Sequence, residues 1–322
     1  DYGGGRILQL VQTGGGADLV PDQLSASGCV DPGDITQPYS GLVPYAINAP
    51  FWSDGAEKDR HIGLPNGTTI SIDAADDWVF PPGTVIVKNF RLDGRLIETR
   101  HLMRHPDGAW AGYTYEWNAA GTEATRVRNG KVVTIDGQDW VYPDEAECLR
   151  CHTAVAGVAL GPETAQMNRD FTYPQTGRTD NQLVTYDAVS MFSAPLAGDP
   201  ATLPALTDPM AETADLDARA RAYLHTNCAQ CHQPGGPTPV NLDLRYTTAL
   251  ANTNACDVVP TSDDLGINMA RIIAPGDASR SVLVARMDLR DVNAMPPIGS
   301  TVVDAAGVAL VTDWINALAS CN

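Results

Sequence analysis

Long apolar runs are missing from this 322-residue chain. The longest, over 154–161 and 305–311, fall far short of the ~20 residues needed to cross a bilayer, which excludes a membrane-spanning helix. Positive charge is scarce too: Lys and Arg number 21 against 39 Asp and Glu, a formal net charge of −18. That field makes nucleic acid and anionic lipid surfaces poor partners, whereas a basic protein or a cation would be drawn in. Enzymatic signatures are sparse, with no Gly-x-Ser-x-Gly, no phosphate-binding glycine loop and no His-Glu-x-x-His. What is present suits a folded protein. Hydrophobic residues at 43% are enough for a packed core, and the length favours two domains. The chain opens on Asp1 with no signal-like apolar stretch after it, as a processed mature chain or a trimmed one would. The glycine-rich Asp1-Tyr-Gly-Gly-Gly-Arg6 is expected to fray unless the body or a neighbouring chain holds it.

Four of the seven cysteines form two copies of one pattern, Cys148-Leu-Arg-Cys151-His152 and Cys228-Ala-Gln-Cys231-His232. Cys-x-x-Cys-His is the attachment signature of c-type haem. Two thiols one helical turn apart add to the two vinyl groups on one porphyrin edge, and the following His comes under the iron. A zinc ribbon wants ~15–20 residues between its cysteine pairs, far fewer than separate Cys151 from Cys228 here. A thioredoxin-like dithiol wants a βαβ context and no such His. The reading is therefore two covalent haem c groups, with His152 and His232 as proximal ligands. Haem attachment belongs to oxidising, extracytoplasmic compartments, where remaining thiols pair. Cys256 and Cys321 could staple the C-terminal segment, leaving Cys29 buried and inert or paired between chains.

Period-two alternation over 68–73, 84–90, 95–104, 110–117, 123–128 and 131–136, divided by turns such as Asp93-Gly94 and Asn129-Gly130, predicts successive antiparallel strands. Residues 1–65 read as loop-rich, and the Pro- and Ala-rich 195–209 as a linker. Helices are expected over 213–226, with Thr213 as N-cap, over 281–287 and over 305–319. The division predicted is a loop- and β-rich domain over 1–145, a first haem segment and linker over 146–210, and an all-helical unit with the second haem over 211–322.

For the second haem, Met295 in Asn293-Ala-Met-Pro-Pro297 is the expected sixth ligand, because a rigid turn presents its thioether at little further entropic cost; Met287 is the fallback. For the first, His101, Met103 and His105 alternate in and just past one strand and share a face. His105 is favoured, Met167 is next, and an open sixth position is the third choice. Glu98-Thr-Arg100 reads as an internal ion pair, and Tyr113, Tyr115 and Trp117 as sheet or core.

The segment carrying Cys228-Ala-Gln-Cys231-His232, Ala274-Pro-Gly276, Met295-Pro-Pro297 and the Trp314 helix resembles the class I cytochrome c domain. The whole chain, over roughly 20–322, resembles a family of bacterial secreted proteins with a β-rich region before cytochrome-type motifs. The stretches that carry this include Ala49-Pro-Phe-Trp-Ser-Asp-Gly-Ala56, Phe80-Pro-Pro-Gly-Thr84, Gly112-Tyr-Thr-Tyr-Glu-Trp-Asn118 and Gln166-Met-Asn-Arg169. The family pattern has Leu where Met167 stands, which counts against Met167 as a ligand. The successive strands and the helices predict an α+β fold, an antiparallel β-sandwich or barrel-like N-terminal domain followed by an all-α domain that the resemblance makes cytochrome c-like, and the resemblance implies a periplasmic or extracellular cytochrome. The expected function is electron transfer to a redox partner with a basic docking face. A subunit of an extracellular electron-conducting filament, its glycine-rich arm adding a strand to a neighbour, is one alternative. A peroxidase- or dehydrogenase-like haem enzyme using the first haem is the other.

Overall fold

The computed structural model describes residues 20–322 apart from residue 75. The glycine-rich arm lies outside the described residues. After the short ladder of β1 (Val30–Asp31) and β2 (Asp34–Pro38) come β3 (Val43–Tyr45) and β4 (Glu57–Gly63). A second small ladder, β5 (Ser71–Ile72) with β6 (Trp78–Val79), precedes β7 (Val85–Leu92), β8 (Arg95–Arg104), β9 (Trp110–Trp117) and β10 (Ala124–Val127). Six of these form one antiparallel sheet in the order β10-β9-β8-β7-β4-β3. The β7–β8 hairpin turns on Asp93-Gly94, whose φ values of +47° and +75° are those of a two-residue primed turn. A separate hairpin pairs β11 (Lys131–Ile135) with β12 (Gln138–Tyr142).

Both faces of the main sheet are covered. Ile62, Ile86 and Leu102 pack on one face with Trp78, Phe80 and Tyr186. Val85, Val87, Met103, Tyr113 and Tyr115 pack on the other. Beyond the sheet come α1 (Glu145–Cys151), α2 (Thr164–Met167), the ladder of β13 (Asp170–Tyr173) with β14 (Arg178–Asn181), and α3 (Gln182–Ala188). The last third contains α4 (Leu216–Cys228), α5 (Val282–Met287) and α6 (Ala305–Ala317). Here Leu224 and Tyr223 of α4 meet Leu310, Val311 and Trp314 of α6 in a cluster of their own.

This architecture corrects the expected fold class. The chain is β-rich, 26% strand and 22% helical, with several small sheets and neither a closed barrel nor an evident all-α cytochrome c domain. The six-stranded sheet stays open because β10 and β3 are both edges, and the remaining strands pair only locally. Between α4 and α5 the chain forms no α-helix; it runs through turns and the parallel bridges Cys256↔Ile273 and Arg271↔Ser281. That stretch is rich in Pro, Gly, Asp and Asn, which favour turns over a helical ladder. Helix starts also move: α4 is capped by Asp215, whose carboxylate accepts from Ala218 N at 2.9 Å, rather than by Thr213.

One segment ties the sheet to the last third. Asp54, 3% exposed and with φ of +51°, accepts from Ser300 Oγ at 2.6 Å, Thr301 N at 2.9 Å, Thr301 Oγ1 at 3.1 Å and Val302 N at 3.1 Å. Trp52 Nε1 donates to Val302 O at 2.9 Å, and Trp52 N donates to Asn227 Oδ1 at 2.8 Å. Buried Gln166 spans the same seam, accepting from Ala49 N and donating to Ala49 O and Thr226 Oγ1.

Cys256 and Cys321 form a disulfide that ties the middle of the last third to its end across 65 residues. Cys29 is buried and free, its thiol pushed up to about 11 by burial. The chain-entropy account of a loop that long gives about 4 kcal/mol of stabilisation. Replacing both Cys256 and Cys321 with Ser should therefore lower the urea unfolding free energy by about that much. An unchanged midpoint would show that the denatured chain is already held together there.

Candidate functional site

The first motif sits on α1 and the turn after it. Asp144 caps the helix by accepting from Glu147 N at 2.7 Å, and Glu147 returns the contact by accepting from Asp144 N at 3.0 Å. This reciprocal cap fixes where the helix starts, so that Cys148 and Cys151 lie one turn apart and His152 falls at the C-cap. Helix α1 lies against β9. Gly112 makes that approach feasible: a Cβ there would stand 2.5 Å from Cys148 Sγ.

His152 Nδ1 donates to Val158 O at 2.6 Å, which places the remaining lone pair on Nε2. Burial first, and then the Lys88 cation, hold this imidazole down at about 3, so it is neutral at ordinary pH, as a metal ligand requires. The orienting carbonyl belongs to a β-branched residue at φ +62°, a conformation that costs on the order of 1–3 kcal/mol and persists where the surroundings enforce it. Cys148 and Cys151 are both free thiols pushed up to about 11 by burial. A reactive dithiol would instead show depressed values.

Cys148, Cys151 and His152 all line a cavity of about 650 Å³, within the size range of ligand sites. Its floor is one face of the main sheet. The register places Arg60, Lys88 and Arg100 in one cross-strand row, with Lys58, Phe90 and Glu98 in the next and Ile62, Ile86 and Leu102 in the row beyond. Arg100 grips buried Glu98 through Nε–Oε1 at 2.6 Å and Nη2–Oε2 at 2.9 Å, the internal pair expected from the sequence. Among the described residues Lys58, Arg60 and Lys88 have no carboxylate at ion-pair distance. Lys58 and Lys88 instead donate to the carbonyls of Phe51 and Leu160. Burial and the neighbouring Arg60 pull Lys88 down to about 7 and Lys58 well below its usual range. The far end of the cavity is acidic. There His225 Nε2 meets Glu163 Oε1 at 2.9 Å, and Asp77 is raised to about 6 by burial and then by Glu163.

The residues fit a haem at the first motif: two thiols on one turn, a neutral imidazole with Nε2 unprotonated, and a part-apolar cavity beside them. The strand candidates for its sixth ligand do not meet this site. His101, Met103 and Tyr113 belong to the rows whose side chains leave the opposite face. The His101 ring packs on Tyr115 at 5.1 Å, although its strand borders the cavity where Gly112 leaves the wall bare. His105 Nε2 is bonded to Tyr113 Oη at 2.8 Å on that same far side. Met167 is fully buried in the core.

At the second motif, Cys228 ends α4, and both Cys231 N and His232 N donate to Cys228 O, at 3.1 and 2.9 Å. His232 is lowered by burial, and its buried Nδ1 has no partner. The donor set has the right chemistry; Ala229, Gln230 and Gln233 of this motif line the 650 Å³ cavity, whereas Cys228, Cys231 and His232 do not. Met295 lies half-buried in the loop between α5 and α6, its N donating to Arg286 O at 2.9 Å, with no hydrogen bond to His232 among the described residues. Met287 is core. The two motifs do meet each other: Thr153 Oγ1 donates to Gln230 O at 2.9 Å, and Cys231 Sγ lies 3.7 Å from Arg150 O.

Sequence reasoning missed the cations of the sheet floor and the group Asp77, Glu163 and His225. The available signal was Lys58, Arg60 and Ile62 at alternate positions, repeated as Ile86, Lys88 and Phe90, which puts cations on the inward parity of a strand.

Two outcomes follow. Gly112→Ala should cost about 1–3 kcal/mol of stability by overpacking and make Cys148 more accessible to thiol reagents; unchanged labelling would mean α1 does not bear on β9. Asp77 holds its proton more tightly folded than unfolded, so its contribution to stability falls as pH rises from its ordinary value of 3.8 to about 6. Asp77→Asn should remove that slope from urea midpoints measured across the window, and an identical slope in both chains would refute the placement. Comparison with protein-family models, curated proteins and solved structures finds no match, so the reading of the site rests on these residues.

Proposed function

We propose that the chain is a c-type cytochrome of an oxidising, extracytoplasmic compartment, with one haem attached at Cys148 and Cys151, a second at Cys228 and Cys231, and electron transfer as its role. The observation that carries the reading is the direct contact between the two motifs, made by Thr153 with Gln230 and by Cys231 with Arg150. One motif can be chance; two brought together by a fold that separates them by most of a domain in sequence point to two groups working as a pair. When bound, the haems supply one-electron exchange at iron.

The chain's own residues do the rest. His152 and His232 offer neutral imidazoles because burial disfavours their protonation. Val158 O fixes the His152 ring and its tautomer. Met295 is the proposed sixth ligand at the second site, where a thioether favours the reduced state. Cys256–Cys321 is compatible with an oxidising compartment. No helix among the described residues is long and apolar enough to cross a membrane. The acidic exterior suits a basic redox partner, with docking that weakens as salt rises.

A second reading, a haem enzyme, has one observation in its favour: Asp77, Glu163 and His225 line the same cavity as His152 and could exchange protons there. Visible spectra of the purified protein, oxidised, reduced and under carbon monoxide, separate the two when joined to peptide mass mapping. The carrier reading expects haem mass on both the 148–152 and 228–232 peptides and no carbon monoxide uptake. Uptake at the first haem would move the case to the enzyme, and haem on one peptide or none would end the dihaem reading.

A further inference from the structure

The row Arg60–Lys88–Arg100 is costly as it stands. Like charges directly opposite one another across antiparallel strands destabilise a sheet, and the half-buried lysines answer by holding their protons less tightly. Glu98 answers only Arg100. Lys58 adds a fourth basic group beside Arg60; its ammonium meets the Phe51 carbonyl and the rings of Phe51 and Phe90, and that of Lys88 the Leu160 carbonyl, neither at ion-pair distance from a carboxylate. In a chain of net charge −18, four half-buried basic side chains gathered on one face of the sheet are no product of composition. The arrangement calls for an anion from outside the chain, and the cavity is where it would enter.

The register also sets a length. Cys148 stands over Gly112 on β9, and Arg60 lies on β4, three strands away in the order β9-β8-β7-β4. At ~4.8 Å per strand this is about 14 Å, the reach of a porphyrin from its vinyl edge to its propionate carboxylates. Phe90 beside the row, and Ile86 and Leu102 on its other side, give apolar surface between the two ends. A small soluble anion would answer the charges but leave most of a 650 Å³ space unused.

We propose that Arg60 and Lys88, with Lys58 and Arg100 beside them, are the seat of the two propionate carboxylates of the haem attached at Cys148 and Cys151. The inference rests on the dihaem reading at that first motif. The cations would then gain the counter-charge the protein lacks, and would hold the free end of a group attached at Cys148 and Cys151 of α1 towards β4. Held this way, the carboxylates stay ionised to low pH, and the positive face favours the reduced haem.

The test is a redox titration of the full haem-loaded chain and of Arg60→Gln, Lys88→Gln and the double variant, with Arg95→Gln as an exposed-cation control. The first haem is assigned as the component missing from Cys148→Ala/Cys151→Ala. With both thioethers still present, haem mass on the 148–152 peptide should be unchanged. At a fixed solution potential the reduced-to-oxidised ratio of the first haem should fall about tenfold in the double variant, the effect of roughly 1.4 kcal/mol. Its potential should also acquire a fall with rising pH near neutrality, because freed propionic acids titrate there; a merely structural change would not produce this. Loss of haem from the 148–152 peptide of the unmodified chain would remove the reading beneath the proposal. Retained haem with a potential and pH slope matching Arg95→Gln would overturn the proposal alone. Succinate shifting the unmodified protein's first potential saturably would overturn it too, since the cations would then be open to a soluble carboxylate.

Discussion

A single buried carboxylate decides how the two halves of the chain stand to each other. Asp54 has no cation at ion-pair distance among the described residues, and its oxygens are satisfied by donors of residues 300–302. Removing those donors would leave a charge buried without compensation, which is far costlier than any one of the hydrogen bonds is favourable. The loop between α5 and α6 that carries Met295 is therefore bound to a segment 246 to 248 residues earlier, and Trp52 extends the seam to α4 through Asn227. Since α4 ends at Cys228, the position of the second motif relative to the sheet follows from this seam. The first motif is fixed independently by the α1 cap and by Gly112. The contact between Thr153 and Gln230 is where the two constraints meet.

The first site is built by tolerating local cost. Val158 holds a conformation that β-branched residues avoid, and its carbonyl orients His152. Three cations share one cross-strand row, and a central strand carries a glycine where a helix must approach. None of these helps the chain fold. Together they produce one neutral imidazole, two half-buried thiols and a positive floor around one cavity. Strain gathered at one place, in a sheet otherwise well packed on both faces, is the pattern expected where the surroundings serve a ligand rather than the fold alone.

Much of the sheet was legible because β7 to β10 alternate regularly and are divided by turns such as Asp93-Gly94 and Asp107-Gly108. Strand β4 was not: Glu57-Lys-Asp-Arg-His reads as a solvated charged run, and only pairing with β7 shows that Lys58 and Arg60 point inward. Parity explains the misplaced ligand candidates as well. Alternation says that His101, Met103 and His105 share a face but does not say which face receives α1. His225, which lines the cavity as His152 does, sits three residues before the second Cys-x-x-Cys-His motif, where it reads as part of a helix rather than as a wall of a different site. The expectation of an all-α last third failed because three helices were legible while the turn-rich stretch between α4 and α5 was assumed to follow them.

The distribution of charge bears on function more than its sum. The net charge is strongly negative, yet Arg60, Lys88 and Arg100 line the cavity together with Glu147, Asp77 and Glu163. A soluble anion approaching from water meets the repulsive field of the whole molecule before reaching that floor. A group attached covalently at Cys148 and Cys151 never meets that barrier, because it is in place when the chain closes around it. A negative net charge and a basic row in the cavity are thus compatible for a tethered ligand and in conflict for a diffusing anionic one. That asymmetry favours a resident prosthetic group over an anionic substrate as the counter-charge for Arg60 and Lys88.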